Sequence, residues 1–271
     1  MFSDKNSRLY KFLILFISVL MCLGLFLKFT FWNERLMLFV HSNQMLPEKF
    51  WMALTVSGSA WVGFLLVSIL DRKYRVYSLA AIYSLIIGGL IVTFLKKIIA
   101  APRPLSVLNE QQLHVIGQYL YGFNSTPSGH AVSIMATVTM LVFMLRSNRV
   151  ESLLYSLLLI FLGCIAAWSR VVVAAHWPAD VCIGASLGIL VALISLKLAN
   201  CYIARYGRQS LYWVVSLELV VGAYAILEKT GYPDMFYFQW IFFCFAILSV
   251  LLRFDRIRLF INTLITLHKC Q

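Results

Sequence analysis

A short segment in the second half of the chain concentrates residue types that can transfer chemical groups. It reads Ser169-Arg170-Val-Val-Val-Ala-Ala-His176-Trp-Pro-Ala-Asp180 and lies between two long apolar runs. A His followed four positions later by an Asp can hold a carboxylate beside one imidazole nitrogen, which fixes the tautomer and raises the basicity of the other nitrogen. Such a pair prepares a nucleophile or a base. Arg170 adds a permanently charged fork of donors to the same place.

Two earlier segments also carry polar groups at the edge of apolar runs. Lys96 and Arg103 are separated by six residues, and a proline on each side of Arg103 holds its backbone extended or turned. Residues 127–130, Pro-Ser-Gly-His, open the next apolar run. Ser128 is a good helix N-cap, and Gly129 allows the free amides of a helix start to approach an anion. These groups predict phosphate or another anion as the ligand.

Membrane helices must position these residues. The chain has 271 residues, of which 61% are hydrophobic and 13% charged, a composition far outside that of soluble proteins. Its apolar runs approach the length that crosses a bilayer, so the sequence predicts an all-α polytopic membrane helix bundle. We predict eight spans: 12–31, 50–70, 76–95, 129–146, 153–170, 178–199, 211–228 and 235–252.

Local signals refine this arrangement near the chemistry. Pro178 suits a first helical turn, so the sixth span is predicted to begin near Trp177, with Asp180 ionised in its positive N-terminal turn. Gly184 and Gly188 form a small-xxx-small face that favours helix packing over ligand contact.

His41 and His114 have no partner visible in the sequence and are expected to be solvated. The intramembrane acid Glu218 favours a structural hydrogen bond.

The net charge of +12 is distributed in a way that indicates orientation in a bilayer and argues against binding to nucleic acid. Most of the 23 lysines and arginines lie in short clusters at span ends that a cytoplasmic N-terminus places inside. Lys96, Lys97, Arg103 and Arg170 cluster on the opposite, outer face, where an anionic ligand explains them. The six cysteines show no paired spacing, so neither disulfides nor a metal site are expected.

Together the three segments resemble the motifs of the type 2 phosphatidic acid phosphatase superfamily. They read Lys96-x6-Arg103-Pro104, then Pro127-Ser128-Gly129-His130, then Ser169-Arg170-x5-His176-x3-Asp180. All of these positions fall on one predicted face of the membrane. The resemblance covers roughly the second to the sixth span and implies a six-helix core. The chain is therefore predicted to be one integral membrane domain, 1–271, with a core at about 50–200 and two extra C-terminal helices at about 211–252.

The resemblance implies a role for each matched residue. His176 would attack phosphorus to form a phosphohistidine, Asp180 would orient His176, and His130 would protonate the leaving oxygen. The phosphate oxygens would be held by a further set: Lys96, Arg103, Ser128, Gly129 and Arg170. Phosphoryl transfer needs mainly positioning and charge neutralisation, which cations and helix amides can supply, so no metal or other cofactor is expected.

Several functions are compatible with these features. The leading expectation is a metal-independent lipid phosphatase of a bacterial cytoplasmic membrane, facing the periplasm or exterior, with both termini cytoplasmic. Its substrate would be undecaprenyl diphosphate or another isoprenyl diphosphate, phosphatidate, or phosphatidylglycerol phosphate. Alternatives are a lipid A phosphatase and an enzyme that transfers phosphoryl groups between lipids. From another class, a transporter or lipid-binding protein with a degenerate site remains open, and the sequence fixes no oligomeric state.

Overall fold

Ten α-helices make up most of the described part of the chain. The computed structural model describes residues 4–44, 46–71, 75–145, 150–206, 209–228 and 230–269, and no strand occurs among them. The helices are α1 (Asp4–Lys28), α2 (Trp32–Ser42), α3 (Glu48–Ser57), α4 (Ala60–Leu70), α5 (Val76–Ile99), α6 (Gly129–Leu145), α7 (Val150–Val172), α8 (Pro178–Tyr206), α9 (Gln209–Leu227) and α10 (Phe236–Lys269). Both chain ends and the predicted cytoplasmic turns at 72–74, 146–149 and 207–208 lie outside the described residues.

Helix α8 forms the centre of the bundle. It packs against α1, α5 and α6, and most of its first four turns are buried. Glycines let α6 and α8 approach closely, because a Cβ atom added at Gly184 would lie 2.6 Å from the carbonyl oxygen of Ser128. The predicted packing role of this glycine face is confirmed. The close approach also places the start of α6 beside the start of α8.

The predicted spans correspond in position to these helices, but their number is not confirmed. Five helices are long and apolar enough to cross a membrane: α1, α5, α7, α8 and the part of α10 at Phe236–Arg253. Helices α3 and α4 together make a sixth if a bent pair counts as one span. Helix α6 and residues Trp213–Leu227 of α9 are apolar but shorter. The protein is thus an integral membrane helix bundle with five candidate spans among the residues that the structure describes.

The span predicted at 50–70 is broken. Helices α3 and α4 meet at residues 58–59 with a bend of 67°. Gly58 sits at this bend, where an added Cβ would lie 2.6 Å from Ile134 of α6, so only a glycine fits the crossing without displacing that side chain. A Gly-Ser pair is a common cause of sharp helix kinks. The break points the start of α4 toward the beginning of α6.

Buried ionic contacts join the last two helices to the core. Helices α9 and α10 pack on each other and on α4, and α9 also contacts α5. Glu218 of α9 and Arg253 of α10 form a buried ion pair with a separation of 3.1 Å between Nε and Oε1. Arg253 also donates to the backbone oxygen of Ser68 and to the hydroxyl of Ser78. The structural role expected for Glu218 is therefore confirmed.

Candidate active site

The predicted site residues lie where the ends of five helices meet. Lys28 ends α1, Lys96 lies in the last turn of α5, and Arg170 lies in the last turn of α7. Helices α6 and α8 both begin at this end of the bundle, as predicted for α8. Trp177 Nε1 donates to the Pro102 oxygen at 2.9 Å, which ties the loop after α5 to the turn before α8. The structure thus gathers the three sequence segments into one place.

Two residues just ahead of the site reverse the chain direction. Ala100 and Ala174 adopt positive φ angles of 43° and 61°. Such left-handed conformations are unfavourable for alanine and persist where the surrounding structure fixes them. Ala100 ends α5 before Arg103, and Ala174 precedes His176. These turns direct both functional side chains back into the bundle.

His176 and Asp180 form the central pair. His176 Nδ1 lies 3.8 Å from Asp180 Oδ2, and both side chains are buried. This distance exceeds that of a hydrogen bond, and Nδ1 is a buried nitrogen without a bonding partner among the described residues. A closure of less than 1 Å would allow the Nδ1–H group to donate to the carboxylate. Nε2 is then the basic nitrogen available for attack.

The carboxylate of Asp180 is held by several donors. Ser125 Oγ donates to Oδ2 at 2.5 Å, the Trp177 amide donates to Oδ2 at 3.1 Å, and Thr126 Oγ1 donates to Oδ1. Lys28 Nζ lies 3.8 Å from Oδ1 and donates to Thr126 Oγ1 at 2.8 Å. These contacts fix the carboxylate from three sides. Asp180 is therefore preorganised to orient an imidazole.

Burial keeps His176 neutral. Loss of solvation, together with the positive charges of Arg170 and Arg103, lowers the pKa of His176 to about 3, although the Asp180 carboxylate acts in the opposite direction. A neutral imidazole has a free lone pair at neutral pH, which a nucleophile requires. The same cations that would bind an anionic substrate therefore add to the effect of burial and favour the neutral form of His176.

Two side-chain nitrogens of Arg103 donate hydrogen bonds to other residues of the protein. Nε donates to Asn124 Oδ1 at 2.7 Å, and Nη1 donates to the Ala175 oxygen at 2.9 Å. The backbone amide of Arg103 also donates to Gly122 O at 2.9 Å. The side chain is buried, yet no ion pair joins it to an acidic residue within the described part of the chain. Its remaining donors suit an external anion.

Arg170 is also buried, and its guanidinium group has N–H donors that make no hydrogen bond within the described residues. Its Nη1 donates to the Tyr232 hydroxyl at 3.4 Å, a long contact, and its Nε is buried without a partner among the described residues. Tyr232 belongs to the segment between α9 and α10, and its side chain is buried against Val56 of α3. The extra C-terminal helices thus contribute a hydroxyl group to the site.

The remaining predicted residues surround the same centre. Ser128 caps α6, since the amides of Ala131 and Val132 donate to its hydroxyl and carbonyl oxygens, and its own amide donates to the Asp180 carbonyl at 3.0 Å. His130 interacts electrostatically with His176, Lys96, Arg103 and Arg170, which places it among the cations. The structure brings together all eight predicted residues: Lys96, Arg103, Ser128, Gly129, His130, Arg170, His176 and Asp180.

A pocket of about 300 Å³ opens beside His130. Hydroxyl-bearing residues of α5, of α6 and of the position just before α4 line part of it, and Glu228, which directly follows α9, lies in its wall. The hydroxyl-bearing residues are Ser59, Ser84, Thr93, Ser133 and Thr137. An apolar groove of about 410 Å³ shares Ser59, Ser133 and Thr137 with this pocket. The two cavities together could hold a polar group attached to an apolar chain.

Sequence reasoning missed several residues of the site. Lys28, Ser125 and Thr126 contact Asp180 but lie outside the three segments that the sequence assigns to the site. Lys28 lies near the end of the first predicted span, and Ser125 and Thr126 directly precede Pro127, so both signals were present in the sequence. Tyr232 gave no such signal, because only the packing of α9 and α10 brings it to Arg170.

No group of three His, Cys, Asp or Glu side chains able to hold a metal ion occurs among the described residues. The residues that converge here are instead cations, helix-start amides and imidazoles. This donor set suits the oxygens of a phosphate, since guanidinium groups and N–H donors match their charge and geometry. The arrangement can bind a phosphate, attack it with a neutral imidazole and supply a second imidazole for proton transfer.

Comparisons with known proteins agree with this geometry. Residues 77–201 match the PAP2 superfamily, a range that contains every predicted site residue and ends before α9. The crystal structure of Aquifex aeolicus LpxE matches with a TM-score of 0.52 at 23% identity, covering 62% of this chain and 97% of LpxE. At that identity the likeness establishes a shared fold. No curated protein sequence matches the chain.

Proposed function

The chain belongs to the PAP2 superfamily through residues 77–201, and we propose that it is a metal-independent lipid phosphatase acting through a phosphohistidine. The observation that carries this proposal is the charge imbalance around His176. Lys96, Arg103 and Arg170 surround a centre whose one carboxylate, Asp180, is already held by three hydrogen bonds. Buried cations are costly unless paired, so this centre is suited to an anionic substrate.

The reaction would proceed in two balanced steps. First, His176 Nε2 attacks phosphorus: a P–N bond forms, the P–O bond to the lipid breaks, and His130 gives a proton to the departing oxygen. Second, a water molecule attacks phosphorus: a P–O bond forms, the P–N bond to His176 breaks, His130 accepts a proton from the water, and inorganic phosphate leaves. Asp180 stabilises the imidazolium character that develops on His176.

Each phosphate-binding residue has a defined task in this scheme. Arg103 and Arg170 grip phosphate oxygens through planar forks, and Lys96 contributes a point charge. The Ser128 hydroxyl and the amide of Gly129 add the positive end of α6. These groups stabilise the charge that spreads over the equatorial oxygens in the transition state, which is the main requirement for phosphoryl transfer.

The substrate would be a lipid in the outer leaflet of a bacterial cytoplasmic membrane. The cluster of cations opposite the main basic face supports a site at the periplasmic or exterior surface, with cytoplasmic termini. Candidate substrates are phosphatidate, phosphatidylglycerol phosphate and undecaprenyl diphosphate. The apolar groove that continues from the pocket beside His130 supports a lipid over a soluble phosphate ester.

A lipid A phosphatase is the second candidate, because the hydroxyl-lined pocket suits a sugar as the leaving group. Transfer of the phosphoryl group to another lipid would use the same first step and differ only in the acceptor. A non-catalytic lipid-binding protein or transporter is disfavoured, since such a protein has no need for a preorganised His176–Asp180 pair.

The direct test offers the detergent-solubilised protein a panel of lipid phosphates in excess EDTA and measures released phosphate and lipid products. The expected result is hydrolysis of at least one substrate that EDTA leaves intact and vanadate inhibits, because vanadate bound to His176 resembles the transition state. Loss of activity in EDTA that added metal restores would refute the metal-independent mechanism. Phosphate on a second lipid would identify a transferase.

The two histidines can be separated by rapid-quench trapping of labelled phosphoenzyme. His176→Ala is expected to abolish labelling and turnover with every substrate. His130→Ala should slow labelling strongly with a lipid monophosphate and weakly with p-nitrophenyl phosphate, whose leaving group needs little protonation. Equal losses on both substrates would refute the acid role of His130, and labelling of His176→Ala would refute the nucleophile.

A further inference from the structure

The pocket beside His130 is electrostatically unlike the phosphate centre. His130 borders both, since it interacts with the cations around His176 and also lines the pocket. In the proposed reaction His130 protonates the leaving oxygen, so the leaving group extends into this pocket. The residues around the pocket therefore determine which leaving groups the site accepts.

The described lining of this leaving-group pocket contains hydroxyl groups and a carboxylate but no lysine or arginine. The carboxylate belongs to Glu228, which is half-buried and is fixed by two donors. Trp61 Nε1 donates to its Oε2, and the Tyr224 hydroxyl donates to its Oε1 at 3.3 Å. Its backbone oxygen also accepts from Gln239 Nε2 at 2.5 Å, so the residue is held from α4 and α10. Glu228 is thus a fixed negative group in the pocket wall.

A second phosphate group in this pocket would have an unfavourable environment. It would lie near a carboxylate in a partly buried region, where like charges repel strongly and little water screens them. Hydroxyl groups can donate single hydrogen bonds to it but cannot neutralise it. A neutral leaving group with hydroxyl or ester oxygens would instead find donors and acceptors along α4, α5 and α6.

The geometry points to Glu228 as a specificity-determining residue that selects lipid phosphomonoesters, with neutral leaving groups, over lipid diphosphates. This inference rests on the proposed phosphatase function and narrows its substrate class. In a monoester the departing alcohol is neutral once protonated. In a diphosphate the departing group is itself a phosphate monoester, and its charge would lie beside Glu228. The adjoining apolar groove takes the lipid chain in either case.

The test compares two substrates that share one tail: farnesyl phosphate and farnesyl diphosphate in the same detergent micelles. For each variant the measured quantity is the ratio of kcat/KM for the diphosphate to kcat/KM for the monophosphate. Glu228→Gln keeps an acceptor for Trp61 but removes the charge, and it should raise this ratio about tenfold through faster diphosphate turnover. The monophosphate value should change much less than the diphosphate value, because its protonated leaving group carries no charge.

Asp234→Asn is the matched control. Asp234 is an exposed carboxylate in the same connecting segment, and it does not line the pocket. Its loss changes the net charge equally and should leave the ratio unchanged. A second variant, Ser84→Lys, places a cation in the pocket and should also raise the ratio, which keeps the test informative if Glu228→Gln folds poorly.

Two outcomes separate failure of this inference from failure of the proposed function. The inference alone would be overturned if the protein hydrolyses both substrates in a vanadate-sensitive way and neither Glu228→Gln nor Ser84→Lys changes the diphosphate-to-monophosphate ratio of kcat/KM. An equal rise of the ratio in Asp234→Asn would also overturn it, because a general change in net charge would then explain the effect. No vanadate-sensitive hydrolysis of either substrate by the wild-type protein would overturn both.

Discussion

The two ends of α5 each carry a cluster of buried charged groups, and the clusters differ in how their charges balance. Ser78 belongs to one cluster and Lys96 to the other, and they lie about 27 Å apart along the helix axis. Around Ser78, Arg253 is paired with Glu218 at 3.1 Å. Around Lys96, two arginines and a lysine face one carboxylate that is already hydrogen-bonded.

This difference distinguishes a structural cluster from a binding site. Burying a charge is unfavourable, and the protein compensates for Arg253 internally with Glu218 and neighbouring serines. It supplies no such partner for Arg103 within the described residues, where the guanidinium contacts only an amide oxygen and a carbonyl. We propose that an external anion completes the uncompensated cluster. Perturbing each cluster should therefore change different properties of the protein.

The largest effect should come from breaking the balanced cluster. Arg253→Met leaves the Glu218 carboxylate buried without its cation, and we expect a loss of about 3–5 kcal/mol of stability. Because the cluster lies far from His176, turnover per folded molecule should remain near the wild-type value. Thermal unfolding in detergent measures the stability. Phosphatase activity, divided by the amount of protein that can form the phosphoenzyme, measures the turnover.

A paired replacement sharpens this test. The double variant Glu218→Leu with Arg253→Met removes both charges and should recover most of the lost stability, since apolar groups can replace a buried ion pair at little cost. Reduced turnover in the double variant with normal unfolding would show that the cluster takes part in the reaction and is not purely structural.

The contrast between the clusters also explains what the sequence could and could not predict. Motif spacing located Lys96, Arg103, His130, His176 and Asp180, because residues that share chemistry are constrained in type and register. Hydropathy located the helices, because burial in lipid requires long apolar runs. Neither signal reveals which charges pair across helices distant in sequence, so the partner of Glu218 could not be identified in advance.

Local departures from the predicted fold have similar causes. His41 was expected to be solvated, and this was wrong: its ring is buried between the Val171 oxygen, 3.1 Å from Nε2, and the His114 amide, which donates to Nδ1 at 3.1 Å. His114 in turn contacts Glu48 at 2.8 Å. These contacts join α2, α3 and the loop after α5, and tertiary packing of this kind leaves no periodic trace in the sequence.

The second largest effect tests the uncompensated cluster. Arg103→Lys keeps the charge but loses the fork, including the contacts to Asn124 and Ala175 that aim it. We expect kcat/KM to fall about 100-fold, equivalent to about 2.7 kcal/mol, with little change in thermal unfolding. Arg35→Lys, at an exposed position of α2, is the control and should retain activity. Wild-type activity in Arg103→Lys would contradict the proposal that the guanidinium group binds phosphate oxygens.

A third prediction concerns pH, because His176 is buried neutral among cations. Its pKa is about 3 in the folded protein and 6.5 when unfolded, so the unfolded state takes up a proton first as the pH falls. His176 therefore lowers stability progressively below pH 6.5, by about 2 kcal/mol at pH 5. His176→Asn should flatten the dependence of the unfolding midpoint on pH between 7 and 5. An unchanged slope would show that His176 takes up protons equally in the folded and unfolded states, contrary to the lowered pKa.

The smallest effect should come from Tyr232, which links the extra C-terminal helices to the uncompensated cluster. Its hydroxyl accepts a hydrogen bond from Arg170 at 3.4 Å, a length typical of a weak contact. Tyr232→Phe removes only that oxygen and leaves the ring packed against Val56. Because Arg170 also retains its charge, we expect about a threefold loss in kcat/KM, equivalent to about 0.65 kcal/mol.

A purely structural Tyr232 would give a different result from one that positions Arg170. If the hydroxyl aims the guanidinium at the phosphate, vanadate should inhibit Tyr232→Phe about threefold less tightly, because the transition-state mimic depends on the same fork. Tyr237→Phe is the matched control, since its hydroxyl contacts only the Met235 sulfur at 3.5 Å among the described residues. Tyr232→Phe could instead lower the unfolding midpoint and leave vanadate inhibition unchanged. Tyr232 would then stabilise the connecting segment without positioning Arg170. In that case Glu228 would be the described residue through which the C-terminal helices influence the reaction.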